Sequence, residues 1–339
     1  MATVPSMLGF HPTNSLVLMC MSGERRRLGP VARVDLPTGH DRAMAAQLTG
    51  HALNHADEVV IICYQNSRRR PPLLDDLLAE LARAGMDVMD AIVVRGGRAR
   101  PALNALMERV HPGVPVPDTN DPQVRALTAA GALAGRSVLA DRDELRRSIA
   151  GPTGSRRRQA ERGIDEAAAG RMPPPQGRAA VTEPTENPPS EFAIRSGPVP
   201  DEIDHLIGQA FDQVVAGDGV QVEVATALAV LMIDEQVRDA VLARGVVELD
   251  RPWLPMLISC ATWTPDPLAA PLCSVLAMVA YRHGDGALAQ VAVDRCLQAE
   301  PEHQLAHLMI AIMGAGVRPE ELERITADEL PPRPPAGAS

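Results

Sequence analysis

The sequence predicts two folded regions of different class. The first is an α/β front domain, a mostly parallel sheet entered through an N-terminal hairpin. The second is an all-α helical bundle with repeat-like helix pairs. Three observations carry this prediction. Over residues 16–94 the order is hairpin, helix, strand, helix, strand, which gives parallel strands joined by helices. From residue 201 onward the apolar residues recur only at helical spacing. Between them lies a stretch rich in Pro, Gly, Arg and Glu, including MPPPQGR and VTEPTENPPSE, that cannot build a core. The expected division is residues 1–150 as the α/β domain, 151–200 as a Pro/Gly-rich disordered linker, 201–330 as an acidic all-α domain and 331–339 as a disordered tail. A length of 339 residues fits about two domains.

Each element has its own local reason. LVLMCM (16–21) and VARVDL (31–36) read as strands around a turn, SGERRRLGP, with Gly23 and Gly29-Pro30 as turn residues. Residues 38–56 read as a helix with Thr38 as N-cap. EVVIICY (58–64) is a continuous apolar run, as for a strand covered on both faces. Residues 71–84 form the clearest helix of this half: Pro71-Pro72 open it, Leu74, Leu77, Leu78 and Leu81 line one side, and Gly85 closes it. VMDAIVV (88–94) is the next strand. Helices are expected at 101–110, 121–135 and 141–149. Within the linker, residues 156–158 and 161–169 are expected to form a short transient helix. In the second half, helices are expected at 201–216, 221–243, 253–262, 268–282, 286–299, 302–314 and 319–325.

Composition narrows the chemistry. Aromatic residues make up only 2% of the chain, so the cores must be built from Leu, Val, Ala and Met. The chain contains no lysine; all 33 basic residues are arginine. That excludes a Walker phosphate loop, a Schiff-base enzyme and a lysine-dependent kinase. Residues 1–150 carry 18 arginines and 16 acids, a net of +2; residues 151–200 carry 7 and 6, a net of +1; residues 201–339 carry 8 and 21, a net of −13. The acidic half would repel a phosphate backbone, which argues against a nucleic-acid partner. It would attract a basic protein, or the chain's own front half. Cys20, Cys63, Cys260, Cys273 and Cys296 show no CxxC and no zinc spacing. They sit among apolar neighbours, as in a reducing cytoplasm. No apolar run reaches the roughly 18 residues of a membrane span, and the run at 16–21 is too short for a signal peptide. A cytoplasmic chain without a membrane partner is expected.

MLGFHPTNSLVLMC at 7–20, GPVARVDLP at 29–37 and LADRDELRRSIAG at 139–151 resemble the actinobacterial family called domain of unknown function 4192. The resemblance implies no activity, cofactor or catalytic residue. Members usually carry a leader before the Val-Pro that stands here at Val4-Pro5. Many also carry a Trp-Ser-Tyr and paired-cysteine segment after the last strand; residues 95–120 have neither. Residues 267–301, broken at Gly284, are similar to a tetratricopeptide helix pair, with Ala277 and Ala289 at the two small positions where paired helices approach. One full unit and a partial second, with Ala311 at its small position, imply a bundle and not a long solenoid.

Candidates for chemistry are few. Ligands of parallel sheets sit beyond the carboxyl ends of the strands. Those ends carry Asp35, Tyr64 and Arg95, an acid, a phenol and a cation suited to a polar small molecule. His51/His55 and His303/His307 each place two imidazoles one helical turn apart, without the Glu of HExxH or an assigned third ligand, so no metal site is expected. Asp141-Arg142-Asp143 reads as a helix-capping segment, and His11 as a structural histidine. There is no GxSxG, GxGxxG or EF-hand loop, and no cofactor is expected. The first functional reading is a non-enzymatic interaction or scaffold protein whose acidic helical domain holds a protein partner. The alternative is a small-molecule-binding or hydrolytic α/β domain with its ligand at the carboxyl ends of the strands.

Overall fold

The computed structural model describes residues 4–23, 25–117, 121–122, 124–126, 138–170 and 201–322. The expected helix at 121–135 lies largely outside the described residues, as do the linker from 171 to 200, the end of the helix at 319–325, and the tail. The chain forms two units: residues 1–145 with 311–318, and residues 146–310 with 319–339.

After a short helix α1 (Val4–Leu8), the first unit is built on a six-stranded mixed sheet. Strands β1 (Ser15–Ser22) and β2 (Arg27–Asp35) form the expected hairpin. Helix α2 (Arg42–His55), β3 (Glu58–Tyr64), helix α3 (Pro72–Arg83) and β4 (Asp87–Arg95) follow. Strands β5 (Arg98–Pro101) and β6 (Val114–Pro115) flank helix α4 (Ala105–Val110). The strand order is β2-β1-β3-β4-β5-β6.

The expectation of a mostly parallel sheet is corrected here. Among the described strands only β3 and β4 pair in parallel; the other four pairings are antiparallel. The alternation of elements does leave β2, β3 and β4 pointing the same way. However, β1 inserts between β2 and β3 and pairs antiparallel with both. At the other side Gly96 (φ 56°) and Gly97 (φ 69°) make the two-residue left-handed turn that folds β5 back on β4. The two crossovers step across the sheet in one direction, so α2 and α3 lie on the same face. There Leu48, Leu74, Leu77 and Leu81 pack on Leu16, Leu18, Ile61, Cys63 and Val93, all buried. Helix α2 starts later than expected. Asp41, not Thr38, is its N-cap, and its side chain accepts from Met44 N at 2.9 Å.

The second unit is helical: α5 (Arg142–Ser148) leads into it, followed by α6 (Gly154–Ala169), α7 (Asp201–Ala216), α8 (Val222–Leu231), α9 (Glu235–Val247), α10 (Trp253–Trp263), α11 (Asp266–Arg282), α12 (Gly286–Ala299) and α13 (Gln304–Ala315), whose end groups with the first unit. The long helix expected at 221–243 is two helices. Asp234 caps the second, accepting from Gln236 N at 2.9 Å, so the apolar run through Met232 and Ile233 hides a helix start. Helices α11 and α12 form the expected hairpin, with Gly284 at φ 78° in the turn and Ala277 and Ala289 fully buried.

Residues 154–169, read as linker with a transient helix, are a 16-residue α-helix. It packs through small atoms, not through an apolar stripe. A Cβ placed on Gly163 would lie 2.6 Å from Thr226 Oγ1 on α8, a hydroxyl already donating to Val222 O at 2.7 Å. Gly163→Ala is therefore expected to lower stability by about 1–3 kcal/mol through overpacking. Combining it with Thr226→Ala should recover most of the loss, as chemical denaturation of the full chain would register.

All five cysteines are buried and free. Burial pushes the thiols of Cys20 and Cys273 up to about 11, and those of Cys63, Cys260 and Cys296 up to about 12. They are therefore packing groups and not nucleophiles. Three histidines are held neutral. Burial depresses His51, His283 and His303 below the ordinary 6.5, helped at His51 by His55 and at His283 by Arg282. The unfolded chain then binds more protons than the folded one once the pH drops below 6.5. Their contribution is complete above that pH and is lost as pH falls toward their folded values. The melting temperature is expected to drop between pH 7 and 5, with proton uptake on unfolding. His283→Gln combined with His303→Gln should flatten that slope.

Candidate functional site

The sheet register places the three rim residues of the sequence reading on one edge. Asp35 pairs with Ser15, Ser15 with Tyr64, and Tyr64 with Val94, the neighbour of Arg95. Asp35 and Arg95 thus stand three strand spacings apart, about 14 Å, and their side chains serve different ends. Asp35 accepts from Arg33 at 2.6 Å and from Arg142 at 3.3 Å. The phenol of Tyr64 is pushed up to about 12 by burial, so it stays protonated. Arg95 lines a cavity.

That cavity, of about 600 Å³, is lined by Arg68, Arg70, Arg95, Arg100, Ala105, Glu108 and Arg109. Five guanidiniums arrive there from four places: the loop after β3, the end of β4, strand β5 and helix α4. Each is positioned by local chemistry. Arg70 immediately precedes Pro71-Pro72, which set the start of α3. Its side chain donates to Asp75 at 2.6 Å and to Ala102 O at 2.8 Å. Asn104 caps α4 by accepting from Met107 N at 2.9 Å, and α4 then turns Glu108 inward. Glu108, with a side chain 6% exposed, accepts from Arg70 and from Arg95, each at 2.9 Å. A carboxylate so enclosed satisfies the desolvation that a buried ion demands.

The charge balance of the cavity is uneven. Arg70 and Arg95 are paired through Glu108. Arg68, Arg100 and Arg109 have no acidic partner among the described residues. Arg95 keeps a buried Nε without an acceptor among those residues. Three arginines without an acidic partner among the described residues thus face a space at the carboxyl ends of the two parallel strands, where ligands of α/β sheets bind.

Sequence reading singled out Arg95 but missed the other four arginines and Glu108. The signal was present: SRRRPP directly follows β3, and RGGRAR contains the end of β4 and its return into β5. Two arginine-rich runs after neighbouring parallel strands must meet at one edge.

The remaining candidates fall elsewhere. The rings of His51 and His55 lie 4.9 Å apart, with the backbone of Gly316 against them, 2.6 Å from His51 Nδ1 to where its Cβ would be. His303 is buried while His307 Nε2 lies 2.8 Å from Pro301 O. No group of three or more His, Cys, Asp or Glu able to hold a metal ion occurs among the described residues. Asp141 accepts from Glu144 N at 2.7 Å, as a helix cap does. In the helical unit a smaller cavity of about 380 Å³ holds Arg156 stacked 4.1 Å over Trp263. There Ser259 and Thr262 are already bonded to Val220 N and Arg156. No described helix is long and apolar enough to cross a membrane.

The stretches that carried the family resemblance meet in space. Phe10, 2% exposed, bridges to Leu139, and His11 N donates to Leu139 O at 3.2 Å. Arg142 of the latter stretch reaches Asp35 at the end of the second. The family described as Domain of unknown function (DUF4192) matches residues 1–320, and the chain belongs to it. No curated protein and no solved structure gives a significant match.

Proposed function

We propose that the first unit binds a small-molecule anion in the arginine-lined cavity. One observation carries the reading: five arginines converge on a space of about 600 Å³, and three of them have no acidic partner among the described residues. Arginine forks match carboxylate and phosphate oxygens two at a time. Like charges gathered at one mouth repel one another and gain most from a counter-charge. The cavity is within the size range of small-molecule sites. The reading is of binding and not hydrolysis, because among the described residues the lining offers guanidiniums, one paired carboxylate and an alanine, and no hydroxyl, thiol or imidazole to act as nucleophile or base. The docking reading of the helical unit gains no comparable support. Its exposed large apolar residues among those described, Val215, Ile233, Val247, Leu249 and Ile310, are spread over four segments, only Val247 and Leu249 being neighbours.

The test is thermal melting of the full chain at fixed ionic strength in chloride, phosphate, sulfate and citrate, for the native protein and for Arg100→Gln combined with Arg109→Gln. Excluded salts stabilise any fold, so the variant is the control. A rise in melting temperature with phosphate or citrate that the variant loses supports the site. Equal shifts in both proteins would remove it.

A further inference from the structure

Resting on that reading, we infer that the ligand carries two or more anionic groups on a compact frame that contributes no aromatic contact. The charge count comes from the layering of the cavity. Arg70 and Arg95 share Glu108 at 2.9 Å each, and Arg70 also holds Asp75 at 2.6 Å. These two guanidiniums are already compensated. Arg68, Arg100 and Arg109 come from three separate elements and have no acidic partner among the described residues. A single charge would leave two of the three uncompensated; a ligand bearing two to three negative charges closes the balance.

Size and lining define the frame. A volume of about 600 Å³ is room for about twenty waters, more than one tetrahedral anion fills. Among the described residues no aromatic ring lines it; the described lining is guanidinium, Glu108 and Ala105. A nucleobase would find no stacking platform of the kind that favours it. Oligophosphates, phosphorylated polyols and tricarboxylates share the required chemistry.

Isothermal titration of the full chain at constant ionic strength separates these. The probes are phosphate, pyrophosphate, tripolyphosphate, citrate and adenosine triphosphate. Affinity is expected to rise by about tenfold or more from phosphate to tripolyphosphate, with adenosine triphosphate within about threefold of tripolyphosphate. Citrate binding as tightly as tripolyphosphate identifies carboxylate as an accepted source; citrate binding like phosphate restricts the ligand to phosphorylated compounds. The variant Arg68→Gln, Arg100→Gln, Arg109→Gln removes exposed or half-exposed side chains and is expected to fold, as circular dichroism would verify. It should lose the dependence on ligand charge. Phosphate matching tripolyphosphate, adenosine triphosphate binding more than about tenfold tighter, or an unaffected triple variant would overturn the inference. If none of the five probes binds, the anion-site reading itself falls.

Discussion

Arg295→Met is expected to unfold the helical unit or to lower its melting temperature by roughly 10 °C or more. Arg295 is 8% exposed, and its guanidinium gathers three backbone carbonyls, of which Ala261 O also accepts from Thr264 N at 3.3 Å. It donates to Ala261 O at 2.8 Å and Thr264 O at 2.6 Å at the end of α10, to Ile149 O, and to Asp266 at 3.3 Å at the start of α11. The last carbonyls of a helix need such donors, and a cation there also faces the negative end of the helix dipole. Gly151 makes room for it: a Cβ at that position would lie 2.8 Å from the guanidinium. Methionine keeps much of the volume but strands two carbonyls, Ile149 O and Thr264 O, each costing about 1–3 kcal/mol if buried. A total of about 3–5 kcal/mol is a large part of the stability of an ordinary domain. Arg295→Lys should fall between the two, since one ammonium cannot reach all three oxygens in the same geometry. Melting followed by circular dichroism decides it: if Arg295→Met melts like the native chain, the clasp does not hold the unit together.

That clasp shows where sequence reading stops. The strand at Glu58–Tyr64 and the helices around residues 72–83 and 286–299 were legible because each carries its own local signal: an apolar run, a leucine stripe, a glycine turn. Strand order was not legible. Nothing local says that β1 will lie between β2 and β3, because β1 pairs with partners as distant in sequence as Ser15 and Tyr64. Helix α6 was expected only as a short transient helix within the linker, for a related reason. Its contact is made at Ala160 and Gly163, by the absence of side chains, whereas pattern reading looks for a stripe of large ones. Nothing local in the sequence sets Arg295 apart from any other charged residue on a helix. The cavity arginines were visible as two runs, but their convergence required knowing that β3 and β4 are parallel neighbours and that Gly96-Gly97 sends β5 straight back.

Glu108→Gln is expected to move stability and anion affinity in opposite directions. The buried carboxylate holds Arg70 and Arg95, whose side chains are 13% and 20% exposed. Removing one member of such a buried arrangement costs about 3 kcal/mol or more, because the partners remain as uncompensated charges. Glutamine can accept one of the two bonds, but its amide then turns an N–H toward a guanidinium, donor against donor. In chloride the first unit should therefore melt earlier. The same change raises the charge facing the cavity by one and frees two guanidinium forks. At about 6 Å and an effective dielectric near 20, one added unit charge is worth about 2–3 kcal/mol to a monovalent group; solvent at the open mouth reduces this, so a gain of about tenfold in tripolyphosphate affinity is expected. Saturating ligand should then restore most of the lost melting temperature, because binding to the folded state alone stabilises it by mass action. Arg100→Gln gives the opposite pattern: a nearly unchanged melt in chloride and weaker binding. If Glu108→Gln lowers stability and affinity together, Glu108 is a recognition group for a ligand with donors, and the cavity is not a simple anion receptor. If affinity is unchanged while stability falls, the three arginines at the mouth act out of reach of the floor, and the two-layer picture of the cavity is wrong.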